Sequence, residues 1–359
     1  MRNIFKNPFR IFFPKKMLGI DIGTASIKVV EISRWGSGYT LENYGEIKSS
    51  LIFKEAPTSS EKSSTLLSTE FVAKGIKGIL EEARIKTREV IFSIPDFSTF
   101  CTSFEIPPMP ENEIAGAIGY NASQYVTLPI SEVTLDWKII SNPTADKNAP
   151  LKVFLIAVPN QVIKEYQQLA ALAGLELYAL EAEALGITRA LVKNNKKTLC
   201  LMDIGVQSST VNIVDGGFLR KSYSFNFYSS KLAQVVASAL GIDPAKAEEI
   251  KNKEGILSNR QGVADALRLL IDPLAVEIRN ISAEFVQSEQ KEVQEIYLTG
   301  GTANMPGLKE YFAENLKKNV SVSNCFSDFL YPPILEETLR EMAPRFSVAV
   351  GVALGGLDA

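Results

Sequence analysis

From Met17 onward the apolar positions follow two periods. MLGIDI and IKVVEIS are nearly continuous apolar runs of strand length, and YTLENYGEI follows after the Gly36-Ser37-Gly38 turn, which predicts a hairpin meander. Residues 48–64, rich in Ser, Lys and Thr, read as a loop. FVAKGIKGILEEARI then carries helical spacing, and EVIFSIP supplies a strand that ends at Pro95. Between Thr99 and Tyr178 the pattern changes to a proline-dense FEIPPMP, the helix ENEIAGAIGYNASQYV, the strands VTLDWKII and KVFLIAVP, and the helix QVIKEYQQLAALAGL. This stretch is expected to be an inserted α+β subdomain, with the polar SNPTADKNAP as an exposed connection between its two strands.

Near Lys197 the opening of the chain repeats. TLCLMDIG, STVNIVD, a Gly216-Gly217 turn and FLRKSYSF follow in the order already met. Superposing LGIDIGTASIKVVEI on LMDIGVQSSTVNIVD places Asp21 on Asp203 and Gly23 on Gly205, 182 residues apart. Solenoid units are far shorter, so an offset of this size predicts a duplicated domain and two similar lobes around a cleft. Residues 231–295 read as helical, with Asp272-Pro273 expected to bend or restart the longest helix. EIYLTGG is a strand running into a glycine turn, MPGLKEYFAENLKKN a helix with Asn304 near its start, and FSVAVGVALGGL a small-residue closing helix. The expected division is a tail at 1–16, a first lobe at 17–98, an insert at 99–178 and a connecting helix of the first lobe at 179–196. A second lobe at 197–230 and 296–344 encloses the helical part at 231–295, and a connecting helix at 345–359 ends the chain.

Composition narrows the chemistry. At 359 residues, 46% hydrophobic and 22% charged, the chain suits a folded protein with more than one core, and a net charge of −3 gives nucleic acid no purchase. With no histidine, Ser-His and Cys-His nucleophiles and His-ligated metals are excluded. Cys101, Cys200 and Cys325 have neither metal spacing nor an even count, which fits a reducing compartment. No apolar run is long enough to span a membrane. The segment MRNIFKNPFRIFFPKK has five basic residues, no acid and Phe5, Phe9, Phe12 and Phe13 at helix-like spacing, interrupted by Pro8 and Pro14. A peripheral membrane or partner contact through residues 1–16 and a disordered tail both fit it.

A strand entering Asp-x-Gly and followed by Thr24, Ser26 and Lys28 holds the parts a polyphosphate needs. The glycine admits close backbone approach, the turn's N–H groups form an anion-binding concavity, and the hydroxyls and Lys28 add donors. Asp21 repels phosphate, so its expected work is to hold a hydrated Mg²⁺, with Asp203 doing the same from the facing side. One Asp-x-Gly also reads as an ordinary hairpin turn; two in the same strand context argue for a shared ligand. LTGGTANMPGL offers a third glycine turn, which equally suits packing. The P-loop and Rossmann fingerprints are absent.

The ordered set IDIGTASIK, LMDIG with SST, AEEIK and YLTGGTANMPGL resembles the phosphate 1, phosphate 2, adenosine-clamp and adenosine motifs of the actin, heat-shock chaperone and FtsA superfamily. Within it the sequence is most similar to the PilM proteins of type IV pilus assembly, and the insert sits where FtsA and PilM carry their 1C subdomain. The resemblance implies an α/β, duplicated actin-like (ribonuclease H-like) ATPase fold binding ATP and Mg²⁺. It implies Asp21, Gly23, Thr24, Ser26 and Lys28 around the β- and γ-phosphates, and Asp203, Gly205, Ser209 and Thr210 opposite. Glu248 and Lys251 would grip ribose and adenine, Gly300, Gly301, Thr302 and Asn304 would line the base, and Glu183 would stand near the attacking water. Relatives have glycines where Val206 and Gln207 stand here, which implies a slow ATPase at most. The implied partner is the cytosolic N-terminus of a PilN-like inner-membrane protein, received by the first lobe and the insert, with the protein cytoplasmic at the inner face of that membrane. The rival implications are an FtsA-like division protein that self-associates into rings or filaments, whose usual C-terminal amphipathic helix has no counterpart in GVALGGLDA, and a metabolite kinase, for which no catalytic aspartate stands out.

Overall fold

The computed structural model describes residues 14–49, 69–140, 149–193, 195–206, 208–225, 227 and 229–358. The expectations for the tail before residue 14, for most of the 48–64 loop, for residues 141–148 and for Gln207 fall outside them. The first sheet contains β1 (Lys15–Ile22), β2 (Ser26–Trp35), β3 (Gly38–Lys48), β4 (Glu89–Ile94), β8 (Glu176–Ala182) and β14 (Phe329–Leu330), in the order β14-β3-β2-β1-β4-β8. The second contains β9 (Leu199–Ile204), β10 (Ser209–Asp215), β11 (Phe218–Phe225), β12 (Glu295–Thr299) and β13 (Asn319–Val322), in the order β11-β10-β9-β12-β13.

The repeat seen in the sequence is a repeat of topology. In each sheet the hairpin meander is antiparallel, and its first strand then pairs in parallel with a later strand. The central strands β1 and β9 are covered on both faces, which is why they read as unbroken apolar runs. Helix α1 (Thr69–Glu82) and α3 (Asn160–Ala173) cover one face of the first sheet, burying Val72, Ile76, Tyr166 and Leu169 against Ile20 and Phe92. In the second lobe α5 (Ser229–Leu240), α7 (Val263–Glu289) and α8 (Leu308–Leu316) do the same, while α6 (Pro244–Lys253) packs on α5.

Two boundaries and the course of one helix differ from expectation. The insert reduces to β5 (Phe100–Ile106), α2 (Glu111–Ala122), β6 (Val133–Ile139) and β7 (Leu151–Pro159), because the apolar stripe of α3 is spent on the first lobe's core and β8 pairs with β4. The second lobe yields residues after Val322 to the first, since β14 joins β3 and Phe326, Phe329, Leu339 and Met342 bury themselves on the face of the first sheet opposite α1 and α3. The long helix α7 does not restart at Asp272-Pro273 but runs on as one helix, its neighbouring turns held by Ile271, Leu274 and Ala275 in the core.

Helix α4 (Glu183–Val192) and the closing helix α9 (Glu336–Asp358) join the lobes, and they touch at backbone level. A Cβ on Gly351 would stand 1.8 Å from the Gly186 carbonyl oxygen, so only glycine permits this crossing. The chain thereby sets two equivalent hairpins facing each other across one line of contact.

Candidate functional site

Both hairpins close with the same hydrogen bond. Gly23 N–H donates to the Ser26 carbonyl at 3.1 Å, and Gly205 N–H donates to the Ser208 carbonyl at 3.0 Å. Between them lies a cavity of about 430 Å³. It is lined by Asp21, Gly23, Thr24, Ser26, Lys28, Glu183, Asp203, Gly205, Gly300 and Gly301, all expected from the sequence. The remaining expected residues do not line it. Ser209 and Thr210 are buried in β10, and Ser208, the true counterpart of Ser26, faces the cavity instead. Carrying the 182-residue offset on from Gly23 to Ser26 would have picked Ser208. Thr302 is buried with its hydroxyl unpartnered, and Asn304 donates to the Glu341 carbonyl at 2.8 Å. Lys251 is buried in α6 with its ammonium 2.7 Å from Glu248, in the helical layer and not on the cavity wall.

The two aspartates have unlike surroundings. Asp21 receives Lys28 Nζ at 3.1 Å and Ser93 Oγ at 3.0 Å. Burial alone would lower the Lys28 ammonium, but the charges of Asp21, Glu46 and Asp203 outweigh it and hold the group above its ordinary value. Among the described residues Asp203 has no such partner: burial first, then the charges of Asp21 and Asp96, push its carboxyl up to about 7, against a smaller pull from Lys28. Gly300 reaches its position with φ +85°, and a Cβ there would lie 2.4 Å from Asp203 Oδ1. The third turn is therefore fitted against the second aspartate by glycine alone.

Sequence reading missed Asp96, Glu46, Tyr166 and Arg345, which separate strands and helices bring in from distant parts of the chain. Helix α4 begins after Ala182, which has no side chain to cap it. Asp96 supplies the cap from another segment, accepting from the Ala184 N–H at 3.2 Å, while its own N–H donates to Glu183 Oε2 at 3.3 Å. Burial raises the Asp96 carboxyl to about 6, and the Ala184 N–H and the Thr210 hydroxyl pull the other way. Glu183 is held well above the usual carboxylate range by burial and by the charges of Asp96, Asp21 and Asp203. Asp21, Glu46, Glu183 and Asp203 line the cavity against the two cations Lys28 and Arg345, which makes a site that gains from a positive ligand.

The helix that presents Glu183 to this cavity also walls a second one of about 810 Å³ with Leu185, Thr188 and Arg189. The insert contributes Trp137, Lys138, Phe154 and Ile156, and the second-lobe hairpin contributes Gly217 and Phe218. Lys138 Nζ sits 4.9 Å from the centre of the Phe218 ring, and Arg220 Nη1 donates to the Ile140 carbonyl at 3.0 Å. This groove is thus formed by three bodies at once.

The sequence profile of the type IV pilus assembly protein PilM matches residues 19–357. The chain belongs to the PilM family. The solved PilM-PilN type IV pilus biogenesis complex contains a chain that superposes on this PilM-family protein with a TM-score of 0.83 and 22% identity, covering 96% of this chain and 99% of that one. The ethanolamine utilization protein EutJ from Carboxydothermus hydrogenoformans follows at TM-score 0.56 and 17% identity, over 95% of this chain and 90% of its own. MreB5 of Spiroplasma citri bound to AMPPNP gives 0.52 and 11%, over 95% of both chains. The fold of this PilM-family chain is accordingly the two-lobed actin-like one. The cell division protein FtsA of Escherichia coli K12 is 25% identical over 188 residues, a match that takes in 44% of this chain and only 45% of FtsA. Among the described residues no helix is long and apolar enough to cross a membrane.

Proposed function

We propose that this PilM-family protein is a nucleotide-dependent assembly protein that binds ATP with Mg²⁺ between its two hairpin turns. The observation that carries the reading is the convergence of two equivalent turns, each closed by a Gly-to-Ser hydrogen bond, on one cavity. Backbone N–H groups of both turns and the Lys28 ammonium offer donors to a phosphate chain from either lobe, so a bound nucleotide ties the lobes together. The donor set also fits a divalent cation. Among the described residues no group of three or more His, Cys, Asp or Glu is placed to hold a metal ion, so Asp21 and Asp203 are the two carboxylates that would hold a largely hydrated Mg²⁺, with water and phosphate completing its shell. When bound, that ion would neutralise phosphate charge and offset the burial and repulsion that raise Asp203. Glu248, Lys251, Thr302 and Asn304 remain proposed for the nucleoside end. With Val206 in the second turn, and with burial and the neighbouring carboxylates holding the Glu183 carboxyl well above the usual range, hydrolysis is expected to be slow.

The test is ATP titration of the wild type and Asp21→Ala, with and without Mg²⁺. At least a tenfold loss of affinity is expected, about 1.4 kcal/mol or more. Equal affinity in a folded variant refutes the assignment.

The groove beneath the insert is the proposed seat of the cytosolic N-terminal peptide of a PilN-like inner-membrane protein, an occupant supported by the PilM-PilN complex among the structural relatives. Its apolar lining, with Arg189 and Lys138 at the walls, suits an extended segment of mixed polarity. Such a peptide should bind saturably and several-fold more weakly to Trp137→Ala; an unchanged titration would remove the groove from the proposal. Through this partner the protein would work in the cytoplasm at the inner membrane. The partial likeness to FtsA supports filament formation as a second reading, and sedimentation with ATP distinguishes it, since a monomer at high concentration speaks against it.

A further inference from the structure

We propose that Arg345 is a ligand-binding residue of the cleft, a guanidinium that takes phosphate oxygens of the nucleotide and is held ready for them by Glu46. The inference rests on the nucleotide reading above. Arg345 follows Pro344 in α9, and the Pro344 carbonyl accepts both the Gly300 N–H at 3.0 Å and the Thr299 hydroxyl at 2.7 Å. Those two bonds fix the helix backbone to the end of β12 at the point where the Arg345 side chain enters the cavity.

The guanidinium is underused. Its Nε lies 3.1 Å from Glu46 Oε2, an ion contact without hydrogen-bond alignment, and this buried Nε has no hydrogen-bond partner. Glu46 is its one ion contact among the described residues, and the side chain is 35% exposed along the cleft. An arginine carries five N–H donors in a rigid fork, and a fork inside a cleft that finds no hydrogen-bond acceptor among the described residues is in the condition of a group whose acceptors arrive with a ligand.

Its neighbours say which ligand. The other oxygen of Glu46 receives Ser26 Oγ at 2.7 Å, and the Ser26 carbonyl closes the first hairpin turn. Glu46 also helps to keep the Lys28 ammonium charged. Arg345 is therefore tethered beside the first turn and follows directly on the residue that anchors Gly300. The chemistry that matches a planar fork among backbone N–H turns is a pair of phosphate oxygens, to which it donates bidentately where a lysine gives one point of charge. Glu46 plays the opposite part: its carboxylate holds the fork in the free protein and competes with the incoming anion.

That division of roles gives two variants opposite signs. In ATP titrations with Mg²⁺, Arg345→Ala is expected to bind at least tenfold more weakly, and adenosine affinity should not change. Glu46→Gln is expected to bind ATP two- to fivefold more tightly. Wild-type ATP affinity in Arg345→Ala, or an equal loss for ATP and adenosine, overturns the inference. If Arg345→Ala does not fold, Glu46→Gln decides alone, and unchanged or weaker ATP binding overturns it. A wild type that binds no ATP defeats the nucleotide reading itself, whereas normal wild-type binding with a loss in Asp21→Ala and none in Arg345→Ala defeats only this step.

Discussion

The turn after β1 and the turn after β9 have one backbone and two electrostatic characters. Their closing hydrogen bonds differ by 0.1 Å, at 3.1 and 3.0 Å. In the ladders Asp21 stands opposite Lys28, and at the same place Asp203 stands opposite Thr210. The exchange matters to charge: the first aspartate has a cation across the strand, and the second, with Thr210 in that place, is driven toward its protonated form by burial and by the charges of Asp21 and Asp96. Duplication preserved the concavity that receives an anion and let the charges diverge. The first turn is neutral by itself, and the second keeps an unmet demand for positive charge at the place where two lobes must be drawn together.

The largest effect should come from breaking the neutral turn. Lys28→Met removes the cation and leaves Asp21 buried with Ser93 as its remaining donor. Stranding a buried charge in this way typically costs about 3–5 kcal/mol, to be measured by urea denaturation without nucleotide. A cost below about 1 kcal/mol would mean that water or a rearrangement replaces the ion pair and that the first turn is not self-neutralising.

The opposite sign is expected at the second turn. The folded protein holds the Asp203 proton up to about pH 7, whereas the ordinary aspartate value is 3.8. The folded state thus binds the extra proton across that window, and stability falls as pH rises through it. Asp203→Asn removes this penalty. In nucleotide-free and Mg²⁺-free buffer it should be more stable than the wild type at pH 8, by on the order of 1.4 kcal/mol for each unit of raised pKa. The advantage should shrink as pH falls toward 4. A variant destabilised at pH 8 would remove the strain argument, and one whose advantage is independent of pH would assign it to packing.

These differences mark how far the sequence carries. The duplication, the two Asp-x-Gly turns and the strand-Gly-Gly turn were legible because each is local: a strand period, a glycine and an aspartate within a few residues. Asp96 and Arg345 were not, because Asp96 backs Glu183 and Arg345 enters the cavity, each from a segment whose own sequence pattern is ordinary. The end of the insert was misjudged at α3 for a related reason. Its amphipathic stripe says that it covers a sheet but not which one, and only the β4-β8 pairing places Tyr166 and Leu169 in the first lobe. The adenosine-clamp pair was named from resemblance, and burial of Lys251 beside Glu248 puts its ammonium in an ion pair within α6 and away from the cavity wall.

The smallest effect separates the turns by shape instead of charge. A Cβ on Gly205 would lie 2.7 Å from the Ser208 carbonyl oxygen, and one on Gly23 would lie 3.2 Å from the Ser26 carbonyl oxygen. The first distance forces the turn's own closing hydrogen bond to open, and the second asks for a shift of a few tenths of an ångström. Gly205→Ala should therefore cost about 1–3 kcal/mol, in the range of overpacking against backbone, and Gly23→Ala clearly less. ATP affinity should fall in the same order, because both variants disturb the N–H groups that face the cavity. Equal costs in denaturation and binding would mean that the second turn relaxes as readily as the first, leaving charge as the sole difference between them.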